Sequence, residues 1–310
     1  MEFRFNIVSD GSCDLPEQMT EENQIRVVHF LVSFDGETYQ KEGIELKLDD
    51  FYQQMVDHPQ RFPMTAAPSP EDYYQVFLDS ARKGQDILCI CISGKLSSSI
   101  QSAQIARQML LEDYPDIHVE ILDSLACTLM QGAFVLEACR LRNAGKTLTD
   151  AVTVMKALIP TGRILFTVGS LEYLQHGGRI GKVTSIAGSL LNVKPLITLE
   201  NGEIHSSGIR RGRKNSLNGT IQLLTDYLKE THMTPGDYTI LIGYGYDVKE
   251  ADSFKKLALG KLREIYPDVP DIPVFHIGAT IGVHAGPYSI GFGIVRRSDR
   301  ILFKETRKKV

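Results

Sequence analysis

The sequence predicts an α/β protein in two parts. An N-terminal doubly wound, mainly parallel sheet spans residues 1–155, and an α+β unit spans 156–310. Three observations predict this. The chain has 310 residues, more than one hydrophobic core usually carries. Up to about residue 145, apolar runs with little alternation, such as DILCICIS (86–93), are separated by helical segments. That is the pattern of parallel strands covered on both faces. Beyond 144–160 the character changes, because PLITLENGEIHSSG carries Asn201-Gly202 at its centre and reads as a hairpin.

Taken in order, FRFNIVS reads as a strand, and IRVVHFLVSF as a second one running into the DG turn. A helix follows over 49–58. Ser69-Pro70-Glu71-Asp72 then supplies an N-cap, a proline at the first helical position and a capping-box acid, opening a helix that stops at Gly84. DILCICIS is a strand, SSIQSAQIARQMLLEDY a helix, IHVEILDS a strand and LACTLMQGAFVLEACRLRNAG a long helix. Thr147-x-x-Asp150 caps the next helix, which runs to Ile159. RILFTVGS is a strand and KVTSIAGSLLN a short apolar helix. After the hairpin come two amphipathic helices, over 213–233 and 248–266, with strand DYTILIGYG between them. PVFHIG and SIGFGIVRR complete the set. IGVHAGPYSIG (281–291) reads as a tight turn around His284, because glycines and a proline crowd it.

Composition narrows the function. A net charge of −4 gives no general nucleic-acid footprint. No apolar stretch approaches the roughly 20 residues of a membrane helix, and MEFRFNIVSD lacks signal-peptide architecture, so a cytoplasmic location is expected. Five cysteines without metal spacing suit a reducing compartment, with Cys89 and Cys91 read as strand core. Walker A, GxGxxG, GxSxG and HExxH patterns are absent, which disfavours nucleotide, elbow-serine and zinc-protease chemistry.

Chemistry is expected beyond the carboxyl ends of the parallel strands. Strand one ends with Asp10 and Ser12, the DILCIC strand with ISGKLSSS, and the IHVEIL strand with Asp123 and Ser124. Each residue could be a mere helix cap or part of a shared anion pocket. Thr65, in the proline-bounded MTAAPSP, offers a hydroxyl that capping does not need, since Ser69 fills that role. The run GIRRGRK (208–214) reads either as a solvated basic helix start or as a docking surface.

SLEYLQHGGRIGK, LLNVKPLITLENGEI, GVHAGP, IVSDGSCDLP and ISGKLSSSIQSAQIA together resemble the DegV family of fatty-acid-binding proteins across essentially the whole chain. The family includes the FakB subunits of bacterial fatty acid kinase. The resemblance implies a DegV/EDD-like fold with a lipid site between its two parts and an acyl-chain tunnel completed by the second. It implies no catalytic residue, metal or cofactor. Thr65, Ser97 and His284 match the family's carboxylate-binding positions, and Arg179 its GGRI arginine near the carboxyl end or the kinase-facing surface; Asp10 is a nearby polar residue. Ile186, Leu190 and Ile281 are candidate tunnel walls within SIAGSLLNV and IGATIG. The implied ligand is a long-chain fatty acid such as palmitate, stearate or oleate, presented to a separate kinase for phosphorylation to acyl phosphate. The alternatives are a Ser–His lipid ester or thioester hydrolase using Ser97 and His284 with Asp10 or Asp123, and a plain lipid carrier.

The chain departs from the family pattern at Gly11, at LSSSI and at Tyr288 of GPY, and Tyr288 puts the acyl preference in question. A tail of about sixteen carbons contributes on the order of 10 kcal/mol gross, against roughly 1.5–3 kcal/mol for each hydrogen bond to a charged group. The tail is therefore expected to dominate affinity. The hydroxyls and a protonated His284 are expected to fix the head group.

Overall fold

The computed structural model describes residues 3–186 and 192–301, with the side chains of 184–186 left aside. The chain opens with β1 (Phe5–Asp10), α1 (Glu17–Glu22) and β2 (Ile25–Val28), followed by β3 (Leu31–Ser33), β4 (Gln40–Lys41), α2 (Leu48–Asp57) and β5 (Met64–Ala66). Next come α3 (Pro70–Ala81), β6 (Asp86–Cys91), α4 (Ser99–Asp113), β7 (Val119–Asp123), α5 (Thr128–Asn143) and α6 (Leu148–Leu158). Strands β2-β1-β6-β7 form a wholly parallel sheet. β1 and β6 are buried along nearly their whole length, as unbroken apolar runs require.

The segment IRVVHFLVSF does not form one strand. β2 pairs in parallel with β1, whereas β3 joins a separate antiparallel sheet of order β4-β3-β5. Helix α3 starts with the expected capping box between Ser69 and Asp72, with Pro70 in its first turn. The Thr147 hydroxyl likewise accepts the Asp150 amide at the start of α6.

The second part comprises β8 (Arg163–Thr167), α7 (Glu172–His176), β9 (Val193–Glu200), β10 (Glu203–Arg211) and α8 (Arg213–Glu230). It continues with β11 (Tyr238–Tyr244), α9 (Val248–Arg263), β12 (Val274–His276), α10 (Ala279–Ala285) and β13 (Ile290–Arg296). Six strands form a mixed sheet ordered β10-β9-β8-β13-β11-β12, in which only the β11–β12 pairing is parallel. The β9–β10 turn is Asn201-Gly202, both residues with positive φ (51° and 77°), as a two-residue hairpin of type I′ demands.

Helix α5 lies between the two larger sheets, packing on β1 and β6 and also on β11 and β13. It is buried on nearly every side, which explains why LMQGAFVLEACRL shows no polar stripe. The largest apolar cluster accordingly runs from Phe5 and Leu88, through Phe134, to Ile197 and Leu241.

Two local expectations change. KVTSIAGSLLN supplies a 3₁₀ turn at Gly181–Ile186, and its remainder from 187 to 191 lies outside the described residues. GVHA belongs to a short helix, α10, rather than a turn. Gly282, inside so short a helix, costs roughly 1 kcal/mol against alanine. Burial of Ala279 and Val283 against Val32, Phe51 and Tyr52 offsets that cost, so tertiary packing decides this element.

Candidate functional site

Three elements bring the site together. Thr65 is the central residue of β5, held in register opposite Val32 of β3. Ser97 lies in the turn between β6 and α4, where its amide donates to Ser93 O at 3.1 Å. Its hydroxyl oxygen accepts the Ser99 amide at 3.2 Å, so the Ser97 O–H remains free to donate elsewhere. His284 is in the last turn of α10, and its Nε2 stands 3.3 Å from Thr65 Oγ1.

The His284 ring rests on the backbone of HGGR. A Cβ on Gly177 would lie 2.1 Å from His284 Nδ1, so only glycine admits the imidazole in this position. Arg179, two residues on, donates from Nε to Leu96 O at 3.1 Å and from Nη1 to Gly177 O at 2.7 Å. It thereby ties the turn beneath His284 to the loop that carries Ser97.

Burial, and secondarily the positive charge of Arg179, push the His284 pKa down to about 4. The imidazole is therefore neutral at ordinary pH, contrary to the expectation of a protonated ring. A neutral imidazole carries a single N–H, and Nδ1 is buried without a hydrogen-bond partner. With Nδ1 facing backbone, placing the N–H on Nε2 lets the ring donate where Thr65 and Ser97 also present hydroxyls.

These residues line one end of a cavity of about 230 Å³ between the two larger sheets. Its other walls are mainly apolar: Ile92, Leu96 and Leu129 from the first part, and Phe166, Leu199 and Ile204 from the second. Ile281 lines it as expected. The Ile186 side chain and the whole of Leu190 lie outside the described residues. Strand β13 adds Gly291, Phe292 and Gly293, and the β9–β10 hairpin adds Leu199 and Ile204. Sequence reasoning missed both contributions. The available signal was SIGFGIV, an apolar strand with small residues on alternate positions, where backbone rather than side chains faces the neighbouring layer.

The DegV family, described as uncharacterised proteins, matches residues 4–297. The chain belongs to the DegV family. A DegV domain-containing protein of Caldanaerobacter subterraneus is 32% identical over 92% of this chain and 96% of its own length. A stearic acid-binding protein from Eubacterium ventriosum superposes with a TM-score of 0.89 at 37% identity, covering 96% of this chain and 99% of that one. A DegV protein from Thermus thermophilus, described by its fatty acid binding, superposes at 0.82 with 28% identity, covering 94% and 99% of the two chains.

Within this DegV chain, two of the three expected strand ends reach the cavity. The loop after β6 contributes Ser97 and Ser98, and the loop after β7 leads to Cys127 and Thr128. The end of β1 is tied down instead. Asp10 is fully buried and its carboxylate accepts from Ile92 N (2.9 Å), Ser99 Oγ (2.9 Å), Gln131 Nε2 (2.8 Å), Ser12 Oγ (2.6 Å) and Tyr73 OH (3.3 Å). It sits beneath the Ser97 loop as an anchor and presents nothing to the surface. Asp123 is likewise occupied, accepting from Leu125 N at 2.8 Å and Gly94 N at 3.2 Å.

Tyr288 lies outside the cavity lining. Its ring packs over Gly169 and edge-on to Tyr246, 44% exposed, in a separate surface cleft with Lys194 and Arg213. The basic run divides as well. Arg210 and Arg211 end β10 and are exposed, whereas Arg213 opens α8 and pairs with Glu250 at 2.5 Å. All five cysteines are buried free thiols, and burial raises Cys13 to about 12, which keeps it protonated and unreactive. No described helix is long and apolar enough to cross a membrane.

Proposed function

We propose that this protein binds a long-chain fatty acid, burying the acyl chain in the cavity and holding the carboxylate at Thr65, Ser97 and His284. One observation carries the reading. Thr65, Ser97, Arg179 and His284, separated by up to 219 positions, meet on the wall of a cavity whose lining is otherwise mainly apolar. A cavity with a polar end and an apolar body suits an amphiphile with a single head group. Ser97 O–H, Thr65 O–H and His284 Nε2–H would donate to the carboxylate oxygens, and Arg179 adds positive charge at the rim. Relatives described as binding stearic acid or fatty acids, at 37% and 28% identity, support the same ligand class.

The finer part of the proposal is that the bound carboxylate is offered to a separate fatty acid kinase, which converts it to acyl phosphate. Arg179 is exposed beside the clasp and is suited to meet such a partner. The hydrolase alternative is less well supported. A catalytic triad needs an acid on the far nitrogen of the histidine, but His284 Nδ1 faces Gly177 and the carboxylates of Asp10 and Asp123 are committed elsewhere.

Native mass spectrometry of the purified protein tests the ligand. One fatty acid per chain, displaceable by added palmitate, stearate or oleate, is the expected result. A protein that carries none and takes up none of the three would overturn the reading. Incubation with fatty acid kinase and ATP tests presentation, with acyl phosphate as the product. Turnover of lipid esters or thioesters without kinase would restore the hydrolase.

A further inference from the structure

The helix that carries His284 begins at a pair of buried carboxyls from the other part of the chain. Asp14 follows the 3₁₀ turn after β1, and Glu42 follows β4; they are only 7% and 8% exposed. A Cβ on Gly278, the N-cap of α10, would lie 2.5 Å from both Asp14 Oδ1 and Glu42 Oε1. These two oxygens are thus at most twice that distance apart. Among the described residues neither carboxyl forms an ion pair, and Lys41, the ammonium nearest Glu42 in sequence, pairs with Asp72.

The donors around the pair are unequal. Glu42 accepts the Thr280 amide at 3.1 Å on Oε1 and the Thr280 hydroxyl on Oε2. Asp14 accepts the Thr128 hydroxyl at 2.6 Å on Oδ2. Its Oδ1, turned toward the Gly278 amide, closes no hydrogen bond of normal geometry. Two buried carboxylates this close, neither paired with a Lys or Arg among the described residues, do not both ionise readily. Asp14 is the less well hydrogen-bonded of the two, so one proton held by the pair would rest there and leave the charge on Glu42 at the start of α10. Thr128 and Thr280, which these acids hold, both line the cavity.

We propose that Asp14 and Glu42 are positioning residues of the head-group clasp: sharing one proton, they clamp the start of α10 and so set where His284 meets Thr65. The role rests on the fatty-acid reading above, because it concerns the same clasp. Burial raises both acids; the Glu42 charge pushes Asp14 up further, and Asp10 adds a smaller push on Glu42. The titratable groups facing the pair are Asp10, Cys13, Tyr52 and Cys127, with His29 and Lys41 flanking Glu42 and Tyr173 of α7 packed farther along the helix. None supplies a fixed positive charge between the two carboxyls. Ionising both therefore pushes them apart and releases the helix start.

The test is a fluorescent fatty-acid displacement assay on the full-length protein across neutral and alkaline pH. Wild-type affinity is expected to fall about tenfold per pH unit once both acids ionise. Asp14→Asn, which replaces the shared proton with a permanent N–H donor, is expected to remove that fall. Glu42→Gln, which turns one of the two oxygens that accept from Thr280 into a donor amide, is expected to weaken binding at every pH while far-UV circular dichroism stays native. Parallel pH profiles for wild type and Asp14→Asn would overturn the proposal. Should wild type bind no fatty acid at any pH, the ligand reading fails and the clamp is judged separately. The His284 ring NMR signals must then shift over the same alkaline range in wild type but not in Asp14→Asn; matching behaviour in both proteins overturns it.

Discussion

The polar corner and the apolar body of the cavity are built on different terms. The corner depends on a few side chains held at fixed distances: Thr65 against His284 at 3.3 Å, and Arg179 bridging Leu96 and Gly177. The body draws on strands of the second sheet, the hairpin and the loops after β6 and β7, and no one residue dominates its wall. Geometry made by a few contacts is sensitive to small displacements, whereas burial summed over a wide wall is insensitive to any one of them. Under the proposed function, the position and the affinity of the ligand would be separable, and that separation can be challenged in stages.

Filling the body tests it hardest. Ile204→Trp places an indole in the path of the tail, and losing half the buried chain forfeits on the order of 5 kcal/mol. Lipid occupancy by native mass spectrometry should collapse while the melting transition stays cooperative; retained lipid would show that the chain takes another route.

Next comes the desolvated histidine. Its pKa is lowered from 6.5 to about 4, so below pH 6.5 the unfolded chain takes up a proton that the folded chain refuses. Stability present above pH 6.5 is thus lost as pH falls toward 4, by about 3 kcal/mol at most. Urea unfolding of the lipid-free protein should show a shallower acid decline for His284→Gln. Equal slopes would mean the ring is better hydrated than its burial implies.

On the proposed fatty-acid reading, Thr65→Ala removes one charge-assisted hydrogen bond, roughly 1.5–3 kcal/mol, from a complex whose tail contributes several times more. Bound lipid should remain, with acyl-phosphate formation by the proposed kinase partner strongly reduced. Gly177→Ala should behave alike, because its methyl meets the His284 ring before any other group. Equal loss of lipid and of phosphorylation in these variants would erase the distinction between corner and body. The smallest effect is expected at the hairpin tip, where Lys95 Nζ donates to Asn201 O at 3.1 Å and pairs with Glu203 at 3.3 Å. Both partners of that ion pair are more than a third exposed, so Lys95→Ala should cost under about 1 kcal/mol by thermal unfolding.

The parallel sheet was legible because its central strand β6, DILCIC, is an almost unbroken apolar run, and α3 and α6 because their capping residues are local signals. The hairpin was legible for the same reason, since Asn-Gly encodes its own turn. Thr65 and His284 stood out as polar residues in backbone that did not need them, and the DegV resemblance picked out Ser97 among the serines of GKLSSS and joined all three into one group. Sequence could not tell that Asp10, beside the same strand end as Asp14, is saturated with donors while Asp14 is left short of them.

Local chemistry in the sequence therefore determined the elements, their caps and turns, and which residues were available to meet a head group. Tertiary structure decided what those residues became. It turned GVHA from a bend into a helix, set His284 on Gly177 and kept its ring neutral. The physical reason is that burial and the approach of backbone from distant segments depend on all the neighbours at once, whereas a capping box or an Asn-Gly turn depends on only four residues.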